Sequence, residues 1–66
     1  MRKALRIAII RKFDNQSDFA QNAGLRESLV SRIIRNRHEP DSITIKKIAN
    51  TLNLKEQAIC KMLKEI

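Results

Sequence analysis

The sequence predicts an all-α domain of five short helices. Apolar residues recur at the three- and four-residue spacing of amphipathic helices, and no segment alternates in the manner of a strand. Asparagine, aspartate, serine and the single glycine and proline separate these segments, and they are residue types at which helices begin or end. The chain has 66 residues and is expected to form one domain (residues 1–66), small enough for self-association to add to its stability.

The first helix is predicted over about residues 3–13, because one of its sides is apolar. Asp14 and Asn15 end it. Asn15 is also expected to cap the second helix, since its side chain can accept a bond from a free amide of the first turn. Asp18, three positions later, is expected to reach back in the manner of a capping box. The apolar side of the first helix consists of Leu5, Ala8, Ile9 and Phe13.

A turn at Gly24 joins the second helix to a third one, predicted over about residues 27–35. Glycine adopts the positive φ of a sharp turn without steric cost. A helix pair of this length, here residues 16–35, is the unit whose second helix enters a major groove of DNA. At ~100° per residue the third helix divides into two arcs. Its apolar arc holds Leu29, Val30, Ile33 and Ile34, and its polar arc holds Glu27, Ser28, Ser31, Arg32 and Arg35.

Two further helices are predicted on either side of a break at Asn53, over about residues 43–52 and 55–65. Asp41 or Ser42 caps the fourth helix after the polar loop at Pro40. Asn36 and Asn53 are expected to end the third and fourth helices, because asparagine tolerates the left-handed conformation. The expected apolar stripes are Ile45, Ile48, Ala49 and Leu52 in the fourth helix, and Ile59, Met62, Leu63 and Ile66 in the fifth.

The helix pair and the segment after it share a joint pattern made of Gln16, Ala20, Gly24, Val30, Ser31 and Ile33, then Pro40, Ile48, Ala49, Leu52 and Leu54. This pattern resembles the helix-turn-helix of phage Cro and repressor proteins, also called the XRE family. The resemblance covers about residues 4–63. It implies a compact five-helix, lambda-repressor-like domain that binds double-stranded DNA.

Two positions depart from the family's pattern. Arg26 stands where a capping Ser or Thr usually begins the third helix, and arginine cannot accept a bond from the exposed amides. The helix start is therefore expected to fray or to borrow Ser28. Ile34 stands where the family commonly has a glutamate, and it is either an additional core residue or an exposed apolar contact.

The resemblance also implies which residues contact DNA, although a solvated helix face is the alternative for each. Gln16, which opens the second helix, is expected to bond a backbone phosphate with the help of free helix amides. Arg32 is the leading base reader, because its fork matches the two acceptors of guanine. Glu27 either accepts from a cytosine amino group or only complements the helix dipole. Base readout is assigned to Arg26, Glu27, Ser28, Ser31 and Arg32, and phosphate contact to Gln16, Arg35, Asn36, Arg37 and His38.

Charge and composition restrict the class of partner. Fourteen Lys and Arg against seven Asp and Glu give a formal charge of +7, which favours a polyanion. Arg2, Lys3 and Arg6 are expected either to form an arm touching the DNA backbone or to remain a solvated terminus. A lone cysteine, Cys60, excludes an internal disulfide and suits a reducing cytosol; it is expected to be a small core or interface residue.

Several classes of protein are excluded by what the sequence lacks. There is no catalytic triad, glycine-rich phosphate loop or metal-ligand cluster, so no enzyme, cofactor or metal is expected. No apolar run reaches the ~20 residues that span a bilayer, and the N-terminal one is too short for a signal peptide. The chain is expected to be soluble and cytoplasmic, in a bacterium or a phage-infected host cell, and associated with the nucleoid.

The combined features favour a sequence-specific transcriptional regulator, a small Cro-like phage or prophage repressor. It is expected to bind a palindromic operator as a homodimer whose recognition helices lie ~34 Å apart. One alternative is an antitoxin-type module of the same fold, whose main partner is a toxin. Another is a basic membrane-surface peptide, which requires one long amphipathic helix. The dimer contact is expected at Ile59, Met62, Leu63 and Ile66, which otherwise only close the core.

Overall fold

The computed structural model describes residues 1–64, and within them all regular structure is helical. The five helices are α1 (Lys3–Phe13), α2 (Gln16–Ala23), α3 (Glu27–Ile34), α4 (Ser42–Leu52) and α5 (Glu56–Leu63). The predicted all-α, five-helix architecture is confirmed, with helix limits that differ from the prediction by at most two residues. None of these helices is long and apolar enough to cross a membrane.

The core forms around Phe19, which is fully buried. Its ring meets that of Phe13 edge to face, with the centroids 5.5 Å apart, a geometry that aromatic pairs favour. Helix α1 packs against each of the other four helices, and α2 packs against α1, α3 and α4. The rest of the core is aliphatic and consists of Leu5, Ile9, Ala20, Ala23, Val30, Ile33, Ile34, Ile48, Ala49, Leu52 and Ile59.

Several predicted core positions are less buried than expected. Ile45, Met62 and Leu63 are only partly buried against the core, so the buried stripes of α4 and α5 are narrower than expected. Cys60 is exposed, so of the two expected places the core is wrong, and the interface stays a prediction. Ile66 lies outside the described residues.

Helices α2, α3 and α4 end in the same way, with a left-handed residue. These residues are Gly24, Asn36 and Asn53, with φ of 70°, 62° and 58°, so the predicted helix-ending roles are confirmed. In each case the next amide bonds back to a carbonyl five residues earlier, which closes the helix end. The closing bonds run from Leu25 to Ala20 (2.9 Å), from Arg37 to Arg32 (2.8 Å) and from Leu54 to Ala49 (2.9 Å).

Side chains cap the first turns of α2 and α4. The Asn15 oxygen accepts the Asp18 amide at 2.8 Å, as predicted. The reciprocal half of a capping box is not formed, because the Asn15 backbone N–H donates to Phe13. The Asp18 carboxylate instead lies 3.5 Å from the Asn15 side-chain nitrogen. At α4 the cap is Asp41, which accepts the Thr44 amide at 2.8 Å.

We expect the Asp41 cap to make the stability of the domain sensitive to acid. The Thr44 backbone amide, then the Thr44 side chain, then the charges of His38 and Lys47 lower the pKa of Asp41 below its ordinary value of 3.8. Because this pKa is lower in the folded chain, the carboxylate stabilises the fold above that ordinary value, and the contribution is lost as the pH falls through the folded-state pKa.

Asp41→Asn tests this expectation, since asparagine keeps the accepting oxygen but does not titrate. Its thermal midpoint should fall less than that of the wild type between about pH 5 and pH 2. Asp14→Asn, which removes another exposed carboxylate, should retain the wild-type acid sensitivity. Parallel pH curves for wild type and Asp41→Asn would show that Asp41 does not contribute.

Candidate nucleic-acid interface

The turn between α2 and α3 depends on the backbone conformation of Gly24. A Cβ built on Gly24 would meet no atom within 4 Å, so space does not require a glycine there. The requirement is the positive φ of 70°, which side chains disfavour. Close helix crossing is provided instead by Ala20, which is 2% exposed. The turn fixes the direction in which α3 leaves α2.

Helix α3 has the two faces that its sequence predicts. Val30, Ile33 and Ile34 are each 1% or 2% exposed, and Leu29 is partly buried. Ile34 is therefore a core residue, which decides between the two alternatives for this position. With its apolar face against α1 and α2, α3 turns its other face to solvent.

The solvent face of α3 carries the residues assigned to base readout. Within residues 1–64 the side chains of this face form no ion pair with one another or with other residues. The guanidinium and carboxylate groups on this face are therefore available to an incoming ligand. Glu27, Ser28, Arg32 and Arg35 are exposed, and Ser31 is partly buried.

An open cleft of about 410 Å³ lies where α3 begins. It brings together three of the five assigned base readers, Arg26, Ser28 and Arg32, beside the apolar side chains of Leu25 and Leu29. Glu27 and Ser31 lie outside it. The cleft combines two arginines, a hydroxyl and apolar carbon, which are groups that contact base edges.

The start of α3 lacks a side-chain cap. Arg26 has the extended backbone of a capping residue, with φ −76° and ψ 140°, but no side chain accepts a bond from the first turn. The expected cap from Ser28 is therefore wrong, and α3 is helical from Glu27 without a side-chain cap. Its first amides have no side-chain acceptor and are open to an anion.

The residues assigned to phosphate contact lie at two places. Gln16 is partly buried as the first residue of α2. The other four follow α3 as one exposed stretch, which we call the exit segment together with Glu39 (residues 35–39). These four are Arg35, Asn36, Arg37 and His38.

Arg2 departs most from the sequence-based expectation. It is 1% exposed and is neither a DNA-touching arm nor part of a solvated terminus. Its guanidinium donates to the carbonyls of Leu63 (3.0 Å), Ile33 (2.9 Å) and His38 (3.2 Å), and it pairs with the Glu39 carboxylate. Lys3 and Arg6 are exposed. Nothing in the pattern around Arg2 marks it as buried, because its acceptors are backbone carbonyls far along the chain.

No group of three or more His, Cys, Asp or Glu side chains among residues 1–64 is arranged to hold a metal ion. The residues assigned to DNA contact lie at the start of α2, in the α2–α3 turn, on the solvent face of α3 and in the exit segment.

Comparison with known proteins gives one match. A family model described as helix-turn-helix covers residues 14–59, more than two thirds of the chain. The match begins just before α2 and ends within α5, so it includes the whole α2–α3 pair. No curated protein and no solved structure matches the chain.

Proposed function

The chain belongs to the XRE-type helix-turn-helix family of DNA-binding transcription regulators, and on this premise we propose that it is a small Cro-like repressor of phage or prophage type. In this proposal it binds a palindromic operator as a homodimer, and α3 is its recognition helix. The supporting observation is the solvent face of α3, whose charged side chains and Ser28 are exposed and form no ion pair among the described residues.

Base recognition is proposed for the first two turns of α3. Arg32 reads guanine through its fork, because the guanine N7 and O6 atoms accept two parallel bonds in the major groove. Ser28, beside it in the cleft, is short enough to let the helix approach the bases. Glu27 accepts from a cytosine amino group. Arg26 and Ser31 are the other two residues proposed to contact bases.

Phosphate contact is proposed on both sides of the recognition helix. Gln16 opens α2, where free amides and the positive end of the helix dipole favour an anion. Arg35, Asn36, Arg37 and His38 form the exposed stretch that follows α3. Such contacts position a protein on the duplex without reading its sequence.

We expect Arg37→Ala to weaken binding to all duplexes alike. Loss of one phosphate contact should reduce the slope of log K against log salt concentration by about one. Titrations of a preferred and a random duplex at several salt concentrations measure this slope. Arg11→Ala is the matched control, since Arg11 is an exposed arginine of α1 without an assigned contact. An unchanged slope for Arg37→Ala would remove Arg37 from the interface.

The dimer surface is proposed at the end of α5, with one change to the predicted set. Ile59 is fully buried in the core of the single chain and offers no area to a second copy. Met62 and Leu63 are only partly buried and remain in the proposal, together with Ile66 from the sequence. A second copy there gives two recognition helices, which a palindrome requires.

We expect Met62→Lys, alone or with Ile66→Lys, to shift the sedimenting species towards a monomer, because a charge would be buried at the contact. Gln57→Lys adds the same charge at an exposed position of α5 and should leave assembly unchanged. Sedimentation is measured with and without operator, after circular dichroism has shown that each variant is folded. A folded double variant that binds a full palindrome with wild-type stoichiometry and affinity would place the dimer surface elsewhere.

In vitro selection of random duplexes at physiological salt tests the proposed function as a whole. The expected product is a palindrome whose half-site centres are about 10 base pairs apart, the spacing of recognition helices ~34 Å apart. Enrichment of a single half-site would contradict the dimer. Failure to enrich any sequence would contradict sequence-specific DNA binding.

A further inference from the structure

We propose that Arg2 is a positioning residue, which holds the exit segment (residues 35–39) in place for phosphate contact and ties it to the end of α5. Arg2 is 1% exposed, so its own guanidinium cannot reach DNA. It acts through the groups that it binds. The contacts of Arg2 are the evidence that it holds the exit segment. The expected effect on DNA binding rests on the proposed function.

The bonds of Arg2 link two helices that share the core without being direct neighbours. Within the described residues the backbones of α3 and α5 do not approach each other closely, although both helices contribute side chains to the core. Arg2 Nη1 nevertheless bonds the Ile33 carbonyl near the end of α3, and Nε bonds the Leu63 carbonyl at the end of α5. A cation at the carboxyl ends of two helices is favoured by both helix dipoles. The planar fork of arginine lets one side chain serve both ends.

The same guanidinium binds the far end of the exit segment. Nη1 also donates to the His38 carbonyl, and Nη2 pairs with Glu39. The Arg2 backbone amide donates to the Ile34 carbonyl at 2.7 Å. Arg2 therefore binds the backbone on both sides of Arg35, Asn36 and Arg37. These bonds hold the intervening residues of the exit segment in one conformation.

The end of α3 needs this support because its own closure lacks apolar residues. At the ends of α2 and α4, the closing bonds join Leu25 to Ala20 and Leu54 to Ala49, and an apolar contact at these positions commonly secures such a helix end. At the end of α3 the same two positions are Arg37 and Arg32, which are both exposed. These two arginines cannot form an apolar contact, and the hydrogen bonds of Arg2 stabilise this helix end from the protein interior instead.

The first experiment compares Arg2→Gln with Arg11→Gln, which removes the same charge from an exposed position of α1. In the free protein, the Arg37 amide should exchange about tenfold faster in Arg2→Gln, because local opening governs its protection. The Leu25 amide forms the equivalent bond at the end of α2 and serves as the internal reference. A general loss of stability accelerates hydrogen exchange at both amides. Loss of the Arg2 contacts instead changes the ratio of the Arg37 exchange rate to the Leu25 exchange rate.

The same variants are then titrated with a random duplex under conditions in which each is folded. Arg2→Gln should bind about tenfold more weakly than Arg11→Gln, although the two carry equal charge, because disordered phosphate contacts pay an ordering cost on binding.

Glu39→Gln gives a second test that does not depend on how well Arg2→Gln folds. This substitution raises the net charge by one, so electrostatic attraction alone predicts tighter binding to DNA. If Arg2 positions the exit segment, binding to DNA should instead become weaker, because Arg2 loses the carboxylate that pairs with its buried charge. We expect Glu39→Gln to bind about threefold more weakly than the wild type. Glu56→Gln, the matched control on α5, should bind at least as tightly as the wild type.

Two results would overturn the proposal: equal Arg37 to Leu25 exchange ratios in Arg2→Gln and Arg11→Gln, or tighter binding of Glu39→Gln in step with Glu56→Gln. If the wild type binds no duplex, the proposed function fails. The exchange ratio in the free protein then still decides whether Arg2 holds the exit segment.

Discussion

Arg32→Ala is expected to cost ~1–3 kcal/mol of binding free energy on the preferred duplex and much less on a random one. Arg32 is exposed on α3 and lines the cleft beside Ser28. In the proposed complex its fork donates two parallel bonds to guanine, and a truncated side chain leaves both base acceptors unpaired. Affinity measured on both duplexes at one salt concentration gives the difference between specific and non-specific loss.

Arg32→Lys separates the shape of this side chain from its charge. Lysine keeps the positive charge but cannot form the planar, bidentate contact, so it should recover non-specific binding and only part of the specificity. The substitution should leave stability nearly unchanged, since the side chain is exposed and forms no ion pair among residues 1–64. Equal losses on the two duplexes would make Arg32 a phosphate contact instead of a base reader.

The largest effect on stability is expected from Phe19→Ala. Phe19 is fully buried, and its ring packs edge to face on Phe13. Removal of a buried phenyl ring costs ~3–5 kcal/mol, through lost transfer free energy and the cavity left behind. A domain of this size has a total stability of only about 3–10 kcal/mol, so the substitution should remove at least about a third of it.

Urea unfolding followed by circular dichroism measures this loss, with Phe19→Leu as the control. Leucine refills most of the volume and should cost less than half as much. Phe13→Ala should also cost less, because Phe13 is only partly buried. A Phe19→Ala domain that unfolds at the wild-type urea concentration would mean that the core repacks around the gap.

Local signals explain why the helices were predictable. Asn15, Gly24 and Asn53 act within one turn of their own positions, through a capping oxygen or a left-handed backbone, and such effects can be recognised in a short window of sequence. The two faces of α3 follow from helical periodicity alone, which places Ser28 and Arg32 opposite Val30 and Ile33. The family match over residues 14–59 agrees with this local pattern.

Periodicity was less informative where burial depends on which helix lies opposite. It placed Ile59 and Met62 on one stripe of α5, but Ile59 is fully buried whereas Met62 is only partly covered. Cys60 was expected to be buried or at an interface and is exposed in the single chain. Helical periodicity predicts which residues share a face of α5. How deeply each of them is buried depends on the packing of α1 and α4 against that helix.

The sequence by itself determined the five helices, their ends and the polar face that α3 presents, because each is specified by residues a few positions apart. The tertiary structure alone decided the place of Ile34 in the core and the burial of Arg2. The bonds of Arg2 reach residues 31 and 61 positions away along the chain, and their acceptors are backbone carbonyls that every residue possesses. No side-chain pattern marks such a contact, so the sequence alone places Arg2 in a basic terminus, whereas in the structure its hydrogen bonds link α3 to α5.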